Sequence, residues 1–231
     1  MNKEAIRLFI KRTPLIYAPA KILMDLRGKR KLCGKKTHLC IEGYPSSANS
    51  FTYTLCRFLN PSLRIAHHCH SVANIKLGLR HDAFTLVLLR NPVDAISSNI
   101  IRFGNRKFNS KTIIRHSIEE YIEFYSFVLE VHEQLFLVIY DDIINDTRTV
   151  IDHINESDKI HFYYRNLEEV KENSIEYMKD WATRKNSLDR ISLPNSQRAK
   201  IKLSLAKDIT ESPYYESADA LYNQLKSCKK Y

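Results

Sequence analysis

Ile41-Glu42-Gly43-Tyr44-Pro45-Ser46-Ser47-Ala48-Asn49-Ser50-Phe51 joins a short apolar run to a helical pattern through small and polar residues. Residues 38 to 43 form a short, continuous apolar run, and residues 51 to 59 follow with a helical pattern. The stretch is therefore a turn from the end of a buried strand into a helix that starts near Ser50. Small residues let backbone N–H groups approach an anion closely. Ser47, Asn49 and Ser50 add hydroxyl and amide donors, and the helix N-terminus adds its dipole and unpaired N–H groups. Ser and Asn are also ordinary capping residues, so the turn alone reads equally well as a capped helix start. It is not the triphosphatase loop, because G-x-x-x-x-G-K-(S/T) and its lysine are missing.

The same plan recurs downstream. Residues 83 to 89 form a second apolar run, which ends in Arg90-Asn91-Pro92-Val93-Asp94-Ala95-Ile96-Ser97-Ser98. Ligands of open parallel sheets bind at carboxyl strand ends, and a guanidinium there can clamp a phosphate through two hydrogen bonds. Ser97 or Ser98 shares a helix face with Arg90, and Asp94 is a candidate to hold the first turn. The bland alternative pairs Arg90 with a surface carboxylate.

Residues 135 to 140 make a third run and 63 to 69 a weaker fourth. Helical patterns over 51–59, 71–78, 92–103, 117–134 and 146–154 alternate with them. Continuous rather than alternating apolar strands, separated by helices, predict an α/β fold with a parallel sheet covered on both faces. From about residue 156 the strand signal stops, and 156–231 read as helices and loops. The expected organisation is one domain over 1–231: a basic helical segment to residue 36, an α/β core over 37–155 and a helical C-terminal part.

The 231 residues are 44% hydrophobic and 27% charged, so they can bury a sizeable core without disulfides or metals. Five cysteines, none in C-x-x-C spacing, point to reduced thiols and a cytoplasmic setting rather than to a disulfide framework or zinc. No apolar run approaches membrane-span length. The net charge of +10 fits an anionic ligand, an anionic polymer or a membrane surface, and charge alone does not choose. Residues 3 to 31 are basic with interspersed Ile, Leu and Phe. They read as helices packed on the domain with a solvated basic face; peripheral membrane contact is the sharper alternative.

Ala66-His67-His68-Cys69-His70-Ser71 places three histidines at a strand end. Strand alternation puts His68 and His70 on one face and His67 on the other. No complementary ligand cluster stands out, so metal binding is not expected. A histidine beside a phosphate cleft suits general-base work.

Together, the two turns and the histidines resemble the sulfotransferase family that uses 3′-phosphoadenosine 5′-phosphosulfate (PAPS), and its short bacterial members most. That family carries (Y/F)-P-(R/K)-S-G-(T/N)-(T/S)-(W/F) after its first strand, R-(N/D)-P-x-D-x-x-x-S after a later one, and a Lys-Thr-His or His-x-His element between them. Tyr44 to Phe51, Arg90 to Ser98 and His68-Cys69-His70 stand in those places. The resemblance implies a P-loop-like, three-layer fold. It also implies that Ser46, Ser47, Ala48, Asn49, Ser50 and Phe51 hold the 5′-phosphosulfate, that Arg90 and Ser98 hold the 3′-phosphate, and that His70 is the base. No metal is implied. The expected reaction is sulfuryl transfer to a hydroxyl or amine, with a carbohydrate as the favoured acceptor and adenosine 3′,5′-bisphosphate as product. No nucleic-acid partner is expected.

The sequence departs from the family at Ser46, where a basic residue is usual, and at Ala48, where glycine is usual. The family's R-K-G-x-x-G-D-W element is absent. Tyr140, Arg184, Lys185, Arg190 and Arg198 are candidates to cover the nucleotide instead. His68, Arg102 and the basic C-terminal region are candidates to replace the charge missing at Ser46. A nucleotide-binding protein of this fold with weak catalysis, or a kinase-like protein, remains the alternative.

Overall fold

The computed structural model describes residues 3–24, 32–103, 110–184 and 196–231. Four parallel strands form its sheet: β1 (Leu39–Gly43), β2 (Ile65–His67), β3 (Phe84–Leu89) and β4 (Phe136–Ile139), in the order β2-β1-β3-β4. The fold is α/β, as the continuous apolar runs predict. β1 and β3 are buried along their whole length, because each lies between two strands and under helices on both faces.

Alternation along β3 sorts the core. Leu86 and Leu88 face one layer with Leu39 and Ile41, against α3 (Asn49–Leu59), α8 (Thr147–Asn155) and α9 (Leu167–Arg184). Val87 and Leu89 face the other, against α4 (Val72–Arg80), α5 (Pro92–Phe103), α6 (Ser110–Glu130) and α11 (Tyr215–Ser227). At the N-terminal end, α1 (Lys3–Arg12) and α2 (Pro14–Met24) pack on α4, and α10 (Ser196–Thr210) packs on α5. No helix among the described residues is long and apolar enough to cross a membrane. All five cysteines are free thiols.

Three boundaries differ from expectation. β2 is only three residues long and stops at His67. β4 stops at Ile139, and Tyr140 opens a short helix, α7 (Tyr140–Asn145). The helix expected over 117–134 begins at Ser110 and gives way to a 3₁₀ turn, His132–Gln134.

The strand order fixes where a ligand belongs. From β1 the chain moves outward to β2, then returns past β1 to β3 on its other side. The crevice between the carboxyl ends of β1 and β3 is thus a topological switch point, where ligands of open α/β sheets sit. Gly43 stands opposite Leu88 in the ladder, so the turns after β1 and β3 emerge side by side.

Candidate functional site

The turn after β1 is shaped by backbone strain. Ser46 and Ala48 both adopt left-handed conformations, with φ of 70° and 66°. These torsions cost a residue with a side chain about 1–2 kcal/mol each, so something in the turn must require them. Ala48 occupies the N-cap of α3 and supplies no side-chain cap. The N–H groups at the start of α3 therefore lack the usual side-chain acceptor. Gly43 cannot carry a side chain, because a Cβ there would lie 2.8 Å from the Leu88 carbonyl oxygen. Asn49 ties the turn together by donating from Nδ2 to the Tyr44 carbonyl over 3.1 Å.

Arg90 joins this turn directly. Its NH1 donates to the Ser46 carbonyl over 2.6 Å, and its guanidinium lies 3.9 Å from the centre of the Tyr140 ring. Its Nε is buried without a hydrogen-bond partner, as is the Ser46 hydroxyl. The Ser47 hydroxyl beside them is likewise buried without a partner. Two tyrosines of α6 fix the surrounding backbone. Tyr125 donates to the Leu88 carbonyl over 2.6 Å and accepts from Tyr44 N over 3.3 Å, while Tyr121 donates to the Arg90 carbonyl over 2.7 Å. The helical periodicity marks both tyrosines only as apolar positions; their hydroxyls are structural ties between the two turns.

The histidine segment departs from the alternation expected of a strand. His68 and His70 are both left-handed, with φ of 59° and 48°, because β2 has already ended. His67 stacks on Tyr53 with ring centres 3.6 Å apart, and its Nδ1 meets Nδ1 of His68. His68 Nε2 lies 2.8 Å from the Ser50 hydroxyl, so His68 touches the first residues of α3.

His70 is held differently. Its Nδ1 lies 2.8 Å from the Gly43 carbonyl. A carbonyl only accepts, so Nδ1 carries the hydrogen and Nε2 presents a lone pair, the tautomer a general base needs. Burial pushes its pKa down to about 4; Lys11 and Arg102 push the same way, while the Gly43 carbonyl and Glu120 oppose. His70 is therefore neutral at pH 7. It lines a water-sized cavity of about 20 Å³ with Lys11, Arg12, Glu120 and Glu123.

Glu42 organises that segment. It is the penultimate residue of β1 and fully buried. Its carboxylate accepts from Asn74 Nδ2 (2.8 Å), Cys69 N (3.1 Å) and Ser71 N (3.4 Å). Burial pushes its pKa up to about 7 against those three donors. Glu42 thus clamps the backbone on both sides of His70. Its signal in the sequence is a carboxylate inside a buried strand, which needs buried partners to be tolerated.

The other candidates divide. Ser47 is buried, its hydroxyl near that of Tyr125 but without a formed hydrogen bond. Phe51 packs into the core with Leu39 and Ile41 rather than facing the turn. Ser98 is half-buried on α5, with no side-chain hydrogen bond among the described residues, whereas Ser97 is fully buried and donates to the Asp94 carbonyl over 3.3 Å. Asp94 does not close the first turn of α5. Asn91 does, its Oδ1 accepting from Val93 N (3.0 Å) and Asp94 N (3.4 Å), and Asp94 pairs with Lys202 of α10. Tyr140 sits on Arg90 as described. Arg184 ends α9 and is exposed; Lys185 and Arg190 lie outside the described residues, as does the side chain of Arg198.

Comparison with known protein families and with curated proteins finds no match for this chain.

Proposed function

We propose that this chain is a sulfotransferase of P-loop-like, three-layer fold. It would move the sulfuryl group of 3′-phosphoadenosine 5′-phosphosulfate to a hydroxyl or amine of an acceptor, with a carbohydrate favoured. The observation that carries the reading is the Arg90–Ser46 contact at the switch point, with the Nε of Arg90 and the hydroxyl of Ser46 both buried and unpartnered beside an uncapped helix start. A donor with phosphates at both ends is the kind of ligand that uses an arginine at one strand end and a helix N-terminus at the next.

The residues present fit such a donor. The α3 N-terminus, Ser46 and Ser47 would hold the 5′-phosphosulfate; Arg90, with Ser98 of α5, would hold the 3′-phosphate. When bound, the donor supplies an activated sulfur–oxygen bond whose breaking leaves the electron pair on the phosphate oxygen. His70 receives the acceptor's proton on Nε2 as the acceptor heteroatom bonds to sulfur. Its Nδ1–H on Gly43 leaves the lone pair on Nε2, and Glu42 holds the backbone that carries the ring. The positive α3 terminus and Arg90 stabilise the charge left on the departing phosphate.

Calorimetry with adenosine 3′,5′-bisphosphate and with ATP tests the donor. Binding of the bisphosphate at least about 100-fold tighter is expected, with Arg90→Ala erasing the preference, since an arginine left unpaired penalises the wrong ligand. Equal affinity for both nucleotides would sink the reading. One observation favours a second reading, a nucleotide-binding protein of this fold with weak catalysis: a base held at about 4 lies well below the pH at which proton transfer is most efficient. A labelled-sulfate transfer assay separates the two. On the first reading, His70→Ala lowers transfer by about 10²- to 10⁴-fold with nucleotide affinity kept; on the second, the unmodified chain shows no transfer to lower.

A further inference from the structure

The basic excess of this protein is concentrated at one end. Residues 1–36 hold eleven Lys and Arg against Glu4 and Asp25, which is nine of the ten net positive charges of the chain. The remaining 195 residues are almost neutral. Within that segment, α1 and α2 meet at a corner on Thr13, closed by Thr13 Oγ on the Phe9 carbonyl (2.9 Å) and by Tyr17 N on the Thr13 carbonyl (2.8 Å). Large apolar side chains stand outward around this corner: Leu15 is 81% exposed, Phe9 53%, Ile16 42% and Ile6 41%.

The inner face of the hairpin is tied down. Ile10 and Tyr17 pack with Cys69 and Ala73, and the Tyr17 hydroxyl donates to the Cys69 carbonyl over 3.1 Å. Lys11 and Arg7 pair with Glu120, Arg12 pairs with Glu123, and Lys76 donates to the Arg12 carbonyl. These contacts hold the inner face of the hairpin against α4 and α6 and leave the apolar corner outermost.

We propose that the α1–α2 corner is a docking surface for an anionic lipid bilayer. Leu15, Phe9 and Ile16 would enter the headgroup–acyl boundary, while the segment's excess of Lys and Arg attracts the anionic headgroups. Exposed aliphatic and aromatic side chains within a strongly cationic segment are the signature of interfacial binding, which draws on both apolar burial and attraction to anionic lipid. A nucleic acid would use the cations and leave Leu15 and Ile16 in water. A second copy of the chain would bring two strongly cationic segments together. The charge thus selects the bilayer among the surfaces that could cover the corner.

The test is flotation of the full chain with vesicles, without nucleotide. Vesicles of phosphatidylcholine alone are compared with vesicles containing about one-third phosphatidylglycerol, since anionic headgroups provide the attraction. Binding to the anionic vesicles only, weakening with salt, is expected. Phe9→Ser, Leu15→Ser and Ile16→Ser together should lower the partition coefficient by about tenfold or more, because each removes apolar groups that would enter the lipid. Leu15→Ser alone, at the most exposed position, gives a smaller loss in the same direction and guards against misfolding of the triple variant. The proposal is overturned if the chain ignores anionic vesicles, binds neutral ones equally, or floats unchanged in both variants. RNA binding or self-association that the triple variant abolishes, with no lipid binding, would also overturn it. The assay needs no sulfate donor, so its failure leaves the sulfotransferase reading untouched, and failure of bisphosphate binding leaves this one untouched.

Discussion

At the end of β3 the chain turns into α5 through Arg90 and Asn91; at the end of β1 it turns into α3 through Tyr44 to Ala48. The first of these is locally complete. Asn91 caps the helix through two backbone N–H groups, and Pro92 opens it where its missing N–H does no harm. No residue between Leu89 and Pro92 takes a positive φ. The turn after β1 lacks a side-chain cap, holds two side-chain-bearing residues in left-handed conformations and buries a serine hydroxyl without a partner. Local physical chemistry accounts for the backbone of the turn after β3 without a ligand. It does not account for the turn after β1, where strain and unmet hydrogen bonds coincide. Self-sufficiency in one turn frees Arg90 to reach across; insufficiency in the other gives it something to complete.

The largest effect should come from disturbing the close approach of the two turns. A methyl group on Gly43 would press on the backbone of Leu88, which cannot rotate away. Gly43→Ala should cost about 2–3 kcal/mol in denaturant unfolding, at the upper end for overpacking, and should displace the carbonyl that holds His70. A loss below half a kcal/mol would mean that the turns are less closely coupled than their contact indicates.

Next come the titrations of the segment tied to the end of β1. His70 is depressed to about 4 from the ordinary 6.5, so its contribution is present above pH 6.5 and lost as pH falls toward 4. Glu42 is raised to about 7 from 4.5, so its contribution is present below 4.5 and lost as pH rises toward 7. The two slopes oppose each other across nearly the same window. Wild-type stability should therefore vary little between pH 4.5 and 6.5, whereas Glu42→Gln should become more stable with rising pH and His70→Gln less stable, each by at most ~1.4 kcal/mol per pH unit. Parallel profiles for the two variants would refute the opposition. NMR titration of the His70 ring, expected near 4, assigns the group directly.

Much of this contrast was legible in the residues alone, and the reasons for the gaps are physical. The two central strands show as continuous apolar runs because they are covered on both faces, so their ends, and the turns that follow, could be placed from sequence. Strand order could not be. The Arg90–Ser46 contact spans 44 residues of chain and follows from β1 and β3 being neighbours, which no local pattern encodes. Alternation puts His68 and His70 on a common strand face, but β2 ends at His67 and both residues are left-handed beyond it, with their ring centres 5.8 Å apart. Glu42 was absorbed into an apolar run, although a carboxylate there calls for buried donors. Asp94 looked like the cap of α5 because of its place in the first turn; Asn91, one residue before the helix, is better placed to accept its N–H groups.

Asn91→Ala should cost about 1 kcal/mol of stability, the usual value of a lost N-cap, and should leave the proposed binding of adenosine 3′,5′-bisphosphate nearly intact because Arg90 is held by Tyr121 and Ser46 rather than by the cap.

Ala48→Gly should do the opposite on the other turn. Ala48 pays for a left-handed torsion that glycine adopts without steric cost, while glycine gains more freedom in the unfolded chain. The first effect is about 1–2 kcal/mol and the second about 0.4–1, so the variant should be more stable by about half a kcal/mol. The same substitution restores the residue usual in phosphate turns, without adding or removing a hydrogen-bonding group. If the torsion at Ala48 exists to aim the N–H groups of α3 at an anion, the glycine variant keeps or slightly improves affinity for adenosine 3′,5′-bisphosphate while unfolding at higher denaturant. If it weakens binding despite the gain in stability, the methyl group of Ala48 itself contributes to the site, and the turn after β1 is built around that side chain rather than around its backbone.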